Sequence, residues 1–468
     1  MFTVAEITRA TGGELIGSGS GEVAGISTDS RTVGREELFV PLRGGRFDGH
    51  DFIGAVIAKG VKVFLAEKQW IDQHGAPVGA TCIAVADTLL GLGDLAAYHR
   101  GRFVLPVVAV TGSNGKTTTK EMIAAILATA GPGLKTGGNL NNLIGLPLTL
   151  LRLTAQDRWA VLEMGMSEPG EIARLAEIAR PDVGVITNAY PAHLESMGSV
   201  EAVARAKGEL FMRLMAGGWA VYNADDGLIA ACPSPEGVLR LGFGLHGADV
   251  SAAAIKTEGR RGLYFTLRLP SDEVAVRMKA YGLHNVANAL AAAAAATALG
   301  LGADAIREGL EAFTPYEKRF NLEEIGGIIL IDDSYNANPA SMEAALRTVA
   351  GIREECRAVA VLGDMLELGT GSAPAHHAIG KLASSCVERL YLLGDMAGAM
   401  AAGAREGGLS AARVVVARSH DEILADLLGN LGKGDYVLVK GSRGMRMEVV
   451  AEGLRRAFGP AHMKGAVA

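Results

Sequence analysis

The sequence predicts an α/β protein built from three consecutive α/β blocks. The chain has 468 residues, which is enough for roughly two to four domains. Short apolar runs alternate with helical stretches, a pattern typical of parallel sheets covered by helices. Residues 248–281 differ, because apolar and polar side chains alternate there and predict an antiparallel hairpin region. We therefore predict domains at residues 1–100, 101–313 and 314–468.

The predicted strands are short runs rich in valine, isoleucine and leucine, which suit buried positions in a sheet. A glycine-containing loop and a helix over residues 116–130 follow the strand predicted at 104–110. The alanine-rich stretch 289–301 predicts a buried helix, because it is shorter than the ~20 residues that a membrane span needs. The predicted strands cover residues 61–65, 81–85, 104–110, 159–162, 183–187, 219–222, 328–331, 358–362, 390–393, 414–417 and 436–439.

Composition and charge exclude some classes of partner. The chain has 45 Lys and Arg residues against 51 Asp and Glu residues, a net charge of −6. Without a basic excess, we expect neither nucleic acid nor an anionic membrane as a partner. Cys82, Cys232, Cys356 and Cys386 lack metal-ligand or redox spacing, which indicates reduced thiols in a cytosolic protein. The N-terminus lacks the pattern of a signal peptide, so we expect a cytoplasmic protein with no membrane insertion.

Residues 111–118, Thr-Gly-Ser-Asn-Gly-Lys-Thr-Thr, predict a phosphate-binding loop between a strand and a helix. Glycines let successive backbone N–H groups point at phosphate oxygens, and the helix N-terminus adds partial positive charge. The loop is a shorter variant of the general pattern, because Val110 stands where the first glycine would fall. The alternative is a glycine loop with an exposed lysine. The predicted nucleotide contacts here are Gly112, Ser113, Asn114, Gly115, Lys116, Thr117 and Thr118, with Thr117 also a Mg²⁺ ligand.

Three further residues follow predicted strands or lie on a predicted helix. Glu163 directly follows a strand, where a carboxylate is well placed for Mg²⁺, although a turn salt bridge or an N-cap is the alternative. His193 follows the next strand, at the same predicted edge of the sheet, which favours a functional role, although a structural histidine in a loop is the alternative. Lys207 lies on a predicted helix, and its own surroundings in the sequence favour an exposed, solvated side chain.

Polar residues are also dense in the last two predicted blocks. In Gly282-Leu-His-Asn-Val-Ala-Asn288, the polar side chains either contact a purine or cap the following helix. The segments 318–320 and 331–339 bring many polar groups to the end of a strand. Because buried polar groups need partners, we expect a functional role there.

Together these segments resemble the Mur ligase family. The matching residues are spread over most of the chain and occur in the family's order, which makes the combination more specific than any one motif. They are the loop 111–117, Glu163-Met-Gly, Asn188, His193, Lys207, His284, Asn288, Arg319 and Asp333-Ser-Tyr-Asn-Ala-Asn-Pro339.

Within the family, the resemblance is to the members that join D-alanyl-D-alanine to UDP-N-acetylmuramoyl-tripeptide. Residues 27–52 resemble their UDP-sugar-binding domain, and residues 136–149 resemble a second substrate loop. Leu362-Gly-Asp-Met-Leu-Glu-Leu-Gly369 and Lys440-Gly-Ser-Arg443 resemble their C-terminal domain. Pro41 and Tyr190 depart from residues that are common in relatives, and Tyr190 is close to His193 in the sequence.

The resemblance implies three domains: a small α/β N-terminal UDP-binding domain, a central P-loop ATPase domain with a parallel sheet, and a Rossmann-like C-terminal domain. It also implies ATP, two Mg²⁺ ions and an acyl-phosphate intermediate. Lys116, Lys207 as a carbamate and His193 are the implied catalytic residues. Thr117, Glu163, Lys207 and His193 are the implied metal ligands, and Asn288, Arg319, Asp333 and Tyr335 would hold the nucleotide. The implied substrate-binding residues are Ser27, Asp29, Arg31, Arg46, Phe47, Asp48, Asn139, Asn141, Asn336 and Asn338.

Two rival functions remain at this point, and we expect a monomer in each case. One is another amide ligase of the superfamily, such as the tripeptide-forming Mur ligase or folylpolyglutamate synthase. The segments 29–31 and 46–48 argue against the folate enzyme, which lacks a UDP-sugar domain. The other is a P-loop ATPase without ligase chemistry, which leaves Glu163, His193 and the cluster at Asp333 unexplained.

Overall fold

The structure is a computed structural model that describes residues 2–18, 20–45, 47–191 and 197–459. Two of the predicted functional residues, Arg46 and His193, lie outside the described residues. Contacts between residues divide the chain into two compact units. The first unit comprises Met1–Ala109, Gly131–Met166 and Gly170–Asp182, and the second comprises Val110–Ala130, Ser167–Pro169 and Val183–Ala468.

The first unit is organised around a five-stranded sheet with apolar side chains buried on both faces. Its strands lie in the order Glu14–Ile16, Thr81–Val85, Val63–Glu67, Glu37–Phe39 and Gly25–Ser27, and only the first pair is antiparallel. Phe2–Thr3 pairs with Glu22–Val23 in antiparallel fashion, and Leu134–Lys135 pairs with Ala160–Glu163 in parallel. The α-helices are Val4–Thr11, Ile53–Ala58, Lys68–His74, Thr88–Arg100, Gly145–Leu150 and Glu171–Ala179, with a 3₁₀ helix at Gly49–Phe52.

In the second unit, the strand Val107–Thr111, whose first residues belong to the first unit, leads into the phosphate loop. Three parallel strands lie in the order Val183–Ile186, Trp219–Asn223 and Leu239–Phe243. The α-helices of this part are Lys116–Ala128, Val200–Met212, Gly227–Ala230, Leu283–Ala298 and Ala303–Ala312. A separate antiparallel sheet contains Ser251–Thr257, Leu263–Arg268 and Glu273–Met278, as the alternation over residues 248–281 predicts, with a 3₁₀ helix at Gly259–Arg261.

The last part of the second unit contains a six-stranded, doubly wound sheet. Its strands lie in the order Asn321–Ile325, Ile328–Asp333, Tyr436–Lys440, Ala358–Gly363, Arg389–Leu393 and Val414–Ala417, and only the first pair is antiparallel. Helices Pro339–Ile352, Ser372–Cys386 and Ala397–Glu406 pack on one face, and helices His420–Asn430 and Glu448–Phe458 pack on the other. Short 3₁₀ helices occur at Gly369–Gly371, Ala411–Arg413 and Arg443–Met445.

The mixed α/β class is confirmed, and the strand predicted at 104–110 is wrong at its start. Val104 is fully exposed, and the strand begins at Val107, whose N–H donates to Asp182 Oδ2 at 2.8 Å. Pro106 has no N–H to give to a sheet, which explains why the apolar run does not begin as a strand. The alanine-rich helix is buried, as predicted. Among the described residues, no helix is both long and apolar enough to cross a membrane.

Candidate active site around the phosphate loop

The phosphate loop needs glycine at two positions. Gly112 has φ = 149° and Gly115 has φ = 82°, both in the region that side chains disfavour. A Cβ atom at Gly112 would collide with the side-chain oxygen of Thr187, and one at Gly115 would collide with Asn288 Oδ1. The backbone of the loop therefore approaches its neighbours as closely as only glycine allows.

The end of the strand Val183–Ile186 holds the loop in place. The N–H of Ser113 donates to the carbonyl oxygen of Asn188 at 2.9 Å, and the N–H of Asn114 donates to Asn188 Oδ1 at 2.8 Å. The Thr187 hydroxyl donates to the carbonyl oxygen of Asn114 at 2.6 Å. Ser113 Oγ and the backbone of Tyr190 exchange two hydrogen bonds of 3.0 Å. These backbone and side-chain hydrogen bonds fix the conformation of the loop.

Lys116 belongs to the phosphate loop, and Lys207 lies near enough for the charge of Lys116 to act on it. Lys116 Nζ donates to the carbonyl oxygens of Gly112 at 2.7 Å and Ser113 at 3.3 Å. Lys207, on the helix Val200–Met212, is only 3% exposed. The prediction of a solvated side chain from its local sequence is therefore wrong. Burial lowers the pKa of Lys207 well below its ordinary value, and the positive charge of Lys116 lowers it further. The lowered pKa favours the neutral amine form of Lys207.

The alanine-rich helix brings a further amide to the loop. Asn288 Oδ1 accepts from the Thr119 hydroxyl at 3.3 Å, and Asn288 Nδ2 donates to Asn285 Oδ1 at 3.0 Å. No side chain caps the first turn of this helix, whose N-cap is Gly282, so the capping interpretation of this segment is wrong. Burial lowers the pKa of His284 to about 4, which keeps the imidazole neutral at pH 7.

Arg319 reaches the loop from a strained segment. Its neighbours Lys318 and Phe320 have φ values of 60° and 52°, which are costly for residues with side chains. Arg319 Nη2 donates to Thr117 Oγ1 at 3.2 Å, and the guanidinium stacks on the ring of Tyr335 at 3.9 Å from its centroid. Arg319 Nε is buried and has no hydrogen-bond partner in the described part of the chain. A strained, incompletely paired arginine at a phosphate loop fits a ligand-binding role.

Asp333 is fixed by one backbone donor and one buried lysine. Its Oδ1 accepts from the N–H of Phe320 at 3.1 Å, and its Oδ2 accepts from Lys440 Nζ at 2.6 Å. Lys440 also donates to the carbonyl oxygen of Asn336 at 3.0 Å. Sequence reasoning did not assign a role to Lys440, although its position directly after an apolar strand was a usable signal, as it was for Thr187.

Asn338 joins the last sheet to the phosphate loop. Asn338 Nδ2 donates to Asn114 Oδ1 at 2.7 Å, and Asn114 Nδ2 donates to Asn338 Oδ1 at 3.2 Å. Asn338 also caps the helix Pro339–Ile352 by accepting from the N–H of Ser341 at 2.9 Å. One side chain therefore couples the start of a helix to the loop 224 residues away in sequence.

The remaining predicted residues belong to the first unit. Glu163 is 2% exposed at the end of its strand, and its Oε1 accepts from Asn141 Nδ2 at 2.7 Å. It is not an N-cap, since it ends the strand Ala160–Glu163. Asp29 forms an ion pair with Arg31 at 2.7 Å, and hydrogen bonds from Arg31 lower the pKa of Asp29 to about 2. Ser27, Phe47, Asp48 and Asn139 also lie in this unit.

The second unit brings together most of the residues predicted for the nucleotide. The described residues contain no group of three or more His, Cys, Asp or Glu side chains that could hold a metal ion. The predicted residues that lie in this unit are Gly112, Ser113, Asn114, Gly115, Lys116, Thr117, Thr118, Lys207, Asn288, Arg319, Asp333, Tyr335, Asn336 and Asn338.

Comparisons with known proteins agree on one family. The family model of the Mur ligase middle domain matches residues 110–296, that of the Mur ligase, glutamate ligase domain matches 318–443, and that of the Mur ligase family, catalytic domain matches 22–100. The chain is 37% identical to the UDP-N-acetylmuramoyl-tripeptide--D-alanyl-D-alanine ligase of Escherichia coli, covering 97% of this chain and 98% of the relative. The enzyme of the same name from Bacillus subtilis is 36% identical, covering 92% and 93%.

Solved structures give the same result. MurF from Acinetobacter baumannii has a TM-score of 0.88 and 34% identity, covering 97% of this chain and 99% of that one. MurF ligase from Thermotoga maritima, solved in complex with ADP, has a TM-score of 0.83 and 29% identity, covering 92% and 97%. Folylpolyglutamate synthase from Mycobacterium tuberculosis, at 17% identity and a TM-score of 0.62, covers 79% of this chain and 94% of that one and shares the fold.

Proposed function

The chain belongs to the Mur ligase family, and from this premise we propose that it joins D-alanyl-D-alanine to UDP-N-acetylmuramoyl-tripeptide, a step of peptidoglycan precursor synthesis. It is an ATP-dependent ligase that forms a C–N bond. The observation that carries the choice of substrates is the 37% identity to the Escherichia coli enzyme of that name over nearly the whole of both chains.

The terminal carboxylate of the tripeptide is a poor electrophile and must first be activated. The terminal carboxylate of the tripeptide attacks the γ-phosphorus of ATP, forming an acyl phosphate and releasing ADP. The amine of D-alanyl-D-alanine then attacks the acyl carbon, and the tetrahedral intermediate collapses with loss of phosphate and a proton. Since the substrates supply the reacting groups, the protein contributes positioning and charge neutralisation.

The second unit offers residues for these tasks. The backbone of residues 112–115 and the ammonium group of Lys116 would surround the phosphates. In this proposal, Asn288, Arg319, Asp333 and Tyr335 hold the rest of the nucleotide. The buried Arg319 Nε, which has no partner among the described residues, supports a ligand at this place.

Carbamylation of Lys207 and Mg²⁺ binding belong to the same proposal. An ammonium group has no lone pair for a cation, whereas a carbamate has oxygens that suit Mg²⁺. The depressed pKa of the buried Lys207 supports carbamylation, because CO₂ reacts with the neutral amine. We propose Thr117 and carbamylated Lys207 as Mg²⁺ ligands in the second unit. Two Mg²⁺ ions would screen the charge of the phosphates. Glu163 and His193 remain predicted ligands.

The substrate-binding residues remain predictions from the family resemblance. Ser27, Asp29, Arg31, Phe47 and Asp48 are proposed to bind the UDP-sugar. Cytoplasmic location and a monomeric state also remain predictions. The further substrate contacts in this proposal are Asn139, Asn141, Asn336 and Asn338, together with Arg46, which lies outside the described residues.

Phosphate release tests the function directly. We expect release only when ATP, UDP-N-acetylmuramoyl-tripeptide and D-alanyl-D-alanine are all present, because the second attack liberates phosphate. Lys116→Ala should abolish release while leaving the circular dichroism spectrum unchanged, since Lys116 is only partly buried.

Equal phosphate release without D-alanyl-D-alanine would sink the proposal and favour a simple ATPase. Turnover with a free amino acid or a folate in place of the dipeptide would instead favour another ligase of the superfamily. Activity of Lys116→Ala within a few-fold of the unsubstituted enzyme would refute the role of the phosphate loop.

A further inference from the structure

The topology of the six-stranded sheet in the second unit predicts a crevice at the end of the strand Tyr436–Lys440. The helices that follow its two neighbours, Ile328–Asp333 and Ala358–Gly363, pack on one face of the sheet. The helix Glu448–Phe458, which follows Tyr436–Lys440 itself, packs on the opposite face. Where the connections that follow adjacent strands run to opposite faces of a sheet, a crevice opens at the carboxyl ends of those strands. Ligands of α/β proteins bind in such crevices.

Ser442 fixes the loop at this crevice. It is 3% exposed, and its N–H donates to the carbonyl oxygen of Asp364 at 2.9 Å. Its hydroxyl donates to the carbonyl oxygen of Ala337 at 3.1 Å and accepts from the N–H of Leu366 at 2.9 Å. The N–H of the next residue, Arg443, donates to Asn336 Oδ1 at 3.2 Å. Hydrogen bonds among the loops that follow three strands therefore fix the backbone position of Arg443.

Positive charge exceeds negative charge around Arg443. Arg443 Nη1 donates to Glu448 Oε1 at 2.8 Å, and Lys318 Nζ lies 3.7 Å from the same oxygen. The guanidinium groups of Arg319 and Arg443 lie 3.9 and 6.0 Å from the ring centroid of Tyr335. Two cations, Arg443 and Lys318, therefore share the carboxylate of Glu448, and the guanidinium group of Arg319 lies on the same ring as that of Arg443. In its ion pair with Glu448, Arg443 is the more exposed partner, since its side chain is 60% exposed and that of Glu448 is 12% exposed.

We propose that Arg443, held by Glu448 and aided by Lys318, binds the terminal carboxylate of D-alanyl-D-alanine and thereby selects the acceptor. This inference rests on the proposed function. The acceptor has two charged groups, and its amine is consumed in the reaction. Its carboxylate is unchanged and is the natural partner of a guanidinium group, whose planar donors match two carboxylate oxygens.

The other anions of the reaction have different candidate partners. The phosphates of ATP are assigned to the loop at Lys116, and the diphosphate of the UDP-sugar is assigned to residues of the first unit. Asp333 neutralises Lys440 through a 2.6 Å contact, so that pair adds no net charge. Carboxylates of the tripeptide are the remaining competitors for Arg443, and they must be separated from the dipeptide by experiment.

The test compares D-alanyl-D-alanine with D-alanyl-D-alaninamide, which keeps the amine but lacks the carboxylate. The full-length enzyme should prefer the acid, and Arg443→Gln should lose this preference. Its KM for the dipeptide should rise roughly 10- to 100-fold, as expected for loss of one charge-assisted contact, with the KM values for ATP and tripeptide within about two-fold. Arg443→Lys should fall between the two, since lysine keeps the charge without the planar fork.

Arg446→Gln is the matched control, because it removes the same charge from an exposed position three residues away. It should keep the preference for the acid. The proposal is overturned if Arg443→Gln still prefers the acid, or if it raises the KM for ATP or tripeptide instead. Should the variant not fold, equal use of acid and amide by the unsubstituted enzyme overturns the proposal and a clear preference supports it. Absence of any turnover with D-alanyl-D-alanine would refute the proposed function itself.

Discussion

Lys207 illustrates how burial changes the chemistry available to a side chain. A buried ammonium group loses hydration, and a second cation nearby makes the charged form still less favourable. Both conditions hold at Lys207, which is 3% exposed and has its pKa lowered by burial and by Lys116. A carbamate would replace this costly cation with an anion, which the charge of Lys116 favours.

We expect Lys207→Ala to reduce the rate of ligation at least about 100-fold, because it removes the proposed carbamate ligand of Mg²⁺. A short carboxylate such as acetate should restore part of the activity by supplying the missing oxygens. Steady-state phosphate release with and without acetate measures both effects. Arg205→Ala, an exposed position on the same helix, is the control. Near-normal activity of Lys207→Ala, or equal stimulation of both variants by acetate, would contradict the carbamate.

At the scale of secondary-structure elements, one amide connects a helix start to the phosphate loop. Asn338 supplies the N-cap of Pro339–Ile352 and exchanges two hydrogen bonds with Asn114. The stability of the helix and the shape of the loop therefore depend on the same side chain. The two roles can be separated, since aspartate accepts at an N-cap as well as asparagine does but has no amide donor.

We expect Asn338→Ala to lower the free energy of unfolding by about 1–2 kcal/mol and Asn338→Asp to lower it by less than half as much. Both variants should raise the KM for ATP a few-fold, because alanine removes both hydrogen bonds with Asn114 and aspartate removes the one that is donated to Asn114 Oδ1. Urea unfolding and initial rates measure the two effects. Ser419→Ala removes another N-cap, that of His420–Asn430, and should cost stability without changing the KM for ATP. An unchanged KM in Asn338→Asp would show that the hydrogen bond from Asn338 to Asn114 Oδ1 does not matter for the nucleotide.

Local sequence is sufficient to predict most elements and the phosphate loop, because strands, turns and glycine positions depend on neighbouring residues. It does not predict that Lys207 is buried, since its burial depends on which elements pack against the helix Val200–Met212. The left-handed backbone at Lys318 and Phe320 is also unpredictable, because bulky side chains disfavour it and the surrounding contacts enforce it. The pairing of Asn114 with Asn338 requires the complete tertiary structure.

At the scale of the whole molecule, the predicted nucleotide contacts come from distant parts of the chain. The loop 112–118, Asn288 and the segment 319–335 all lie in the second unit. A ligand that contacts all of them should stabilise the folded state as a whole, since unfolding any one part would release it.

We expect ADP with Mg²⁺ at about 100 times its Kd to add about 2.7 kcal/mol to the stability of the folded chain, measured as a rise in Tm. Lys116→Ala should reduce the rise strongly, because Lys116 is proposed to contact the phosphates. Lys279→Ala, which changes an exposed lysine, should keep it. If Lys116→Ala shows the same rise in Tm as the unsubstituted chain, the nucleotide does not bind at the loop.

The alternation of the chain between the two units has a consequence for its synthesis. A ribosome that has reached residue 109 has not finished the first unit, because Gly131–Met166 and Gly170–Asp182 belong to it as well. About 70 more residues must be translated, which takes roughly 4 to 15 s at typical elongation rates. During that interval, the newly made phosphate loop has emerged without Asn188, Asn288 or Asn338. The nascent chain therefore carries the phosphate loop without these partners until most of the protein has been made.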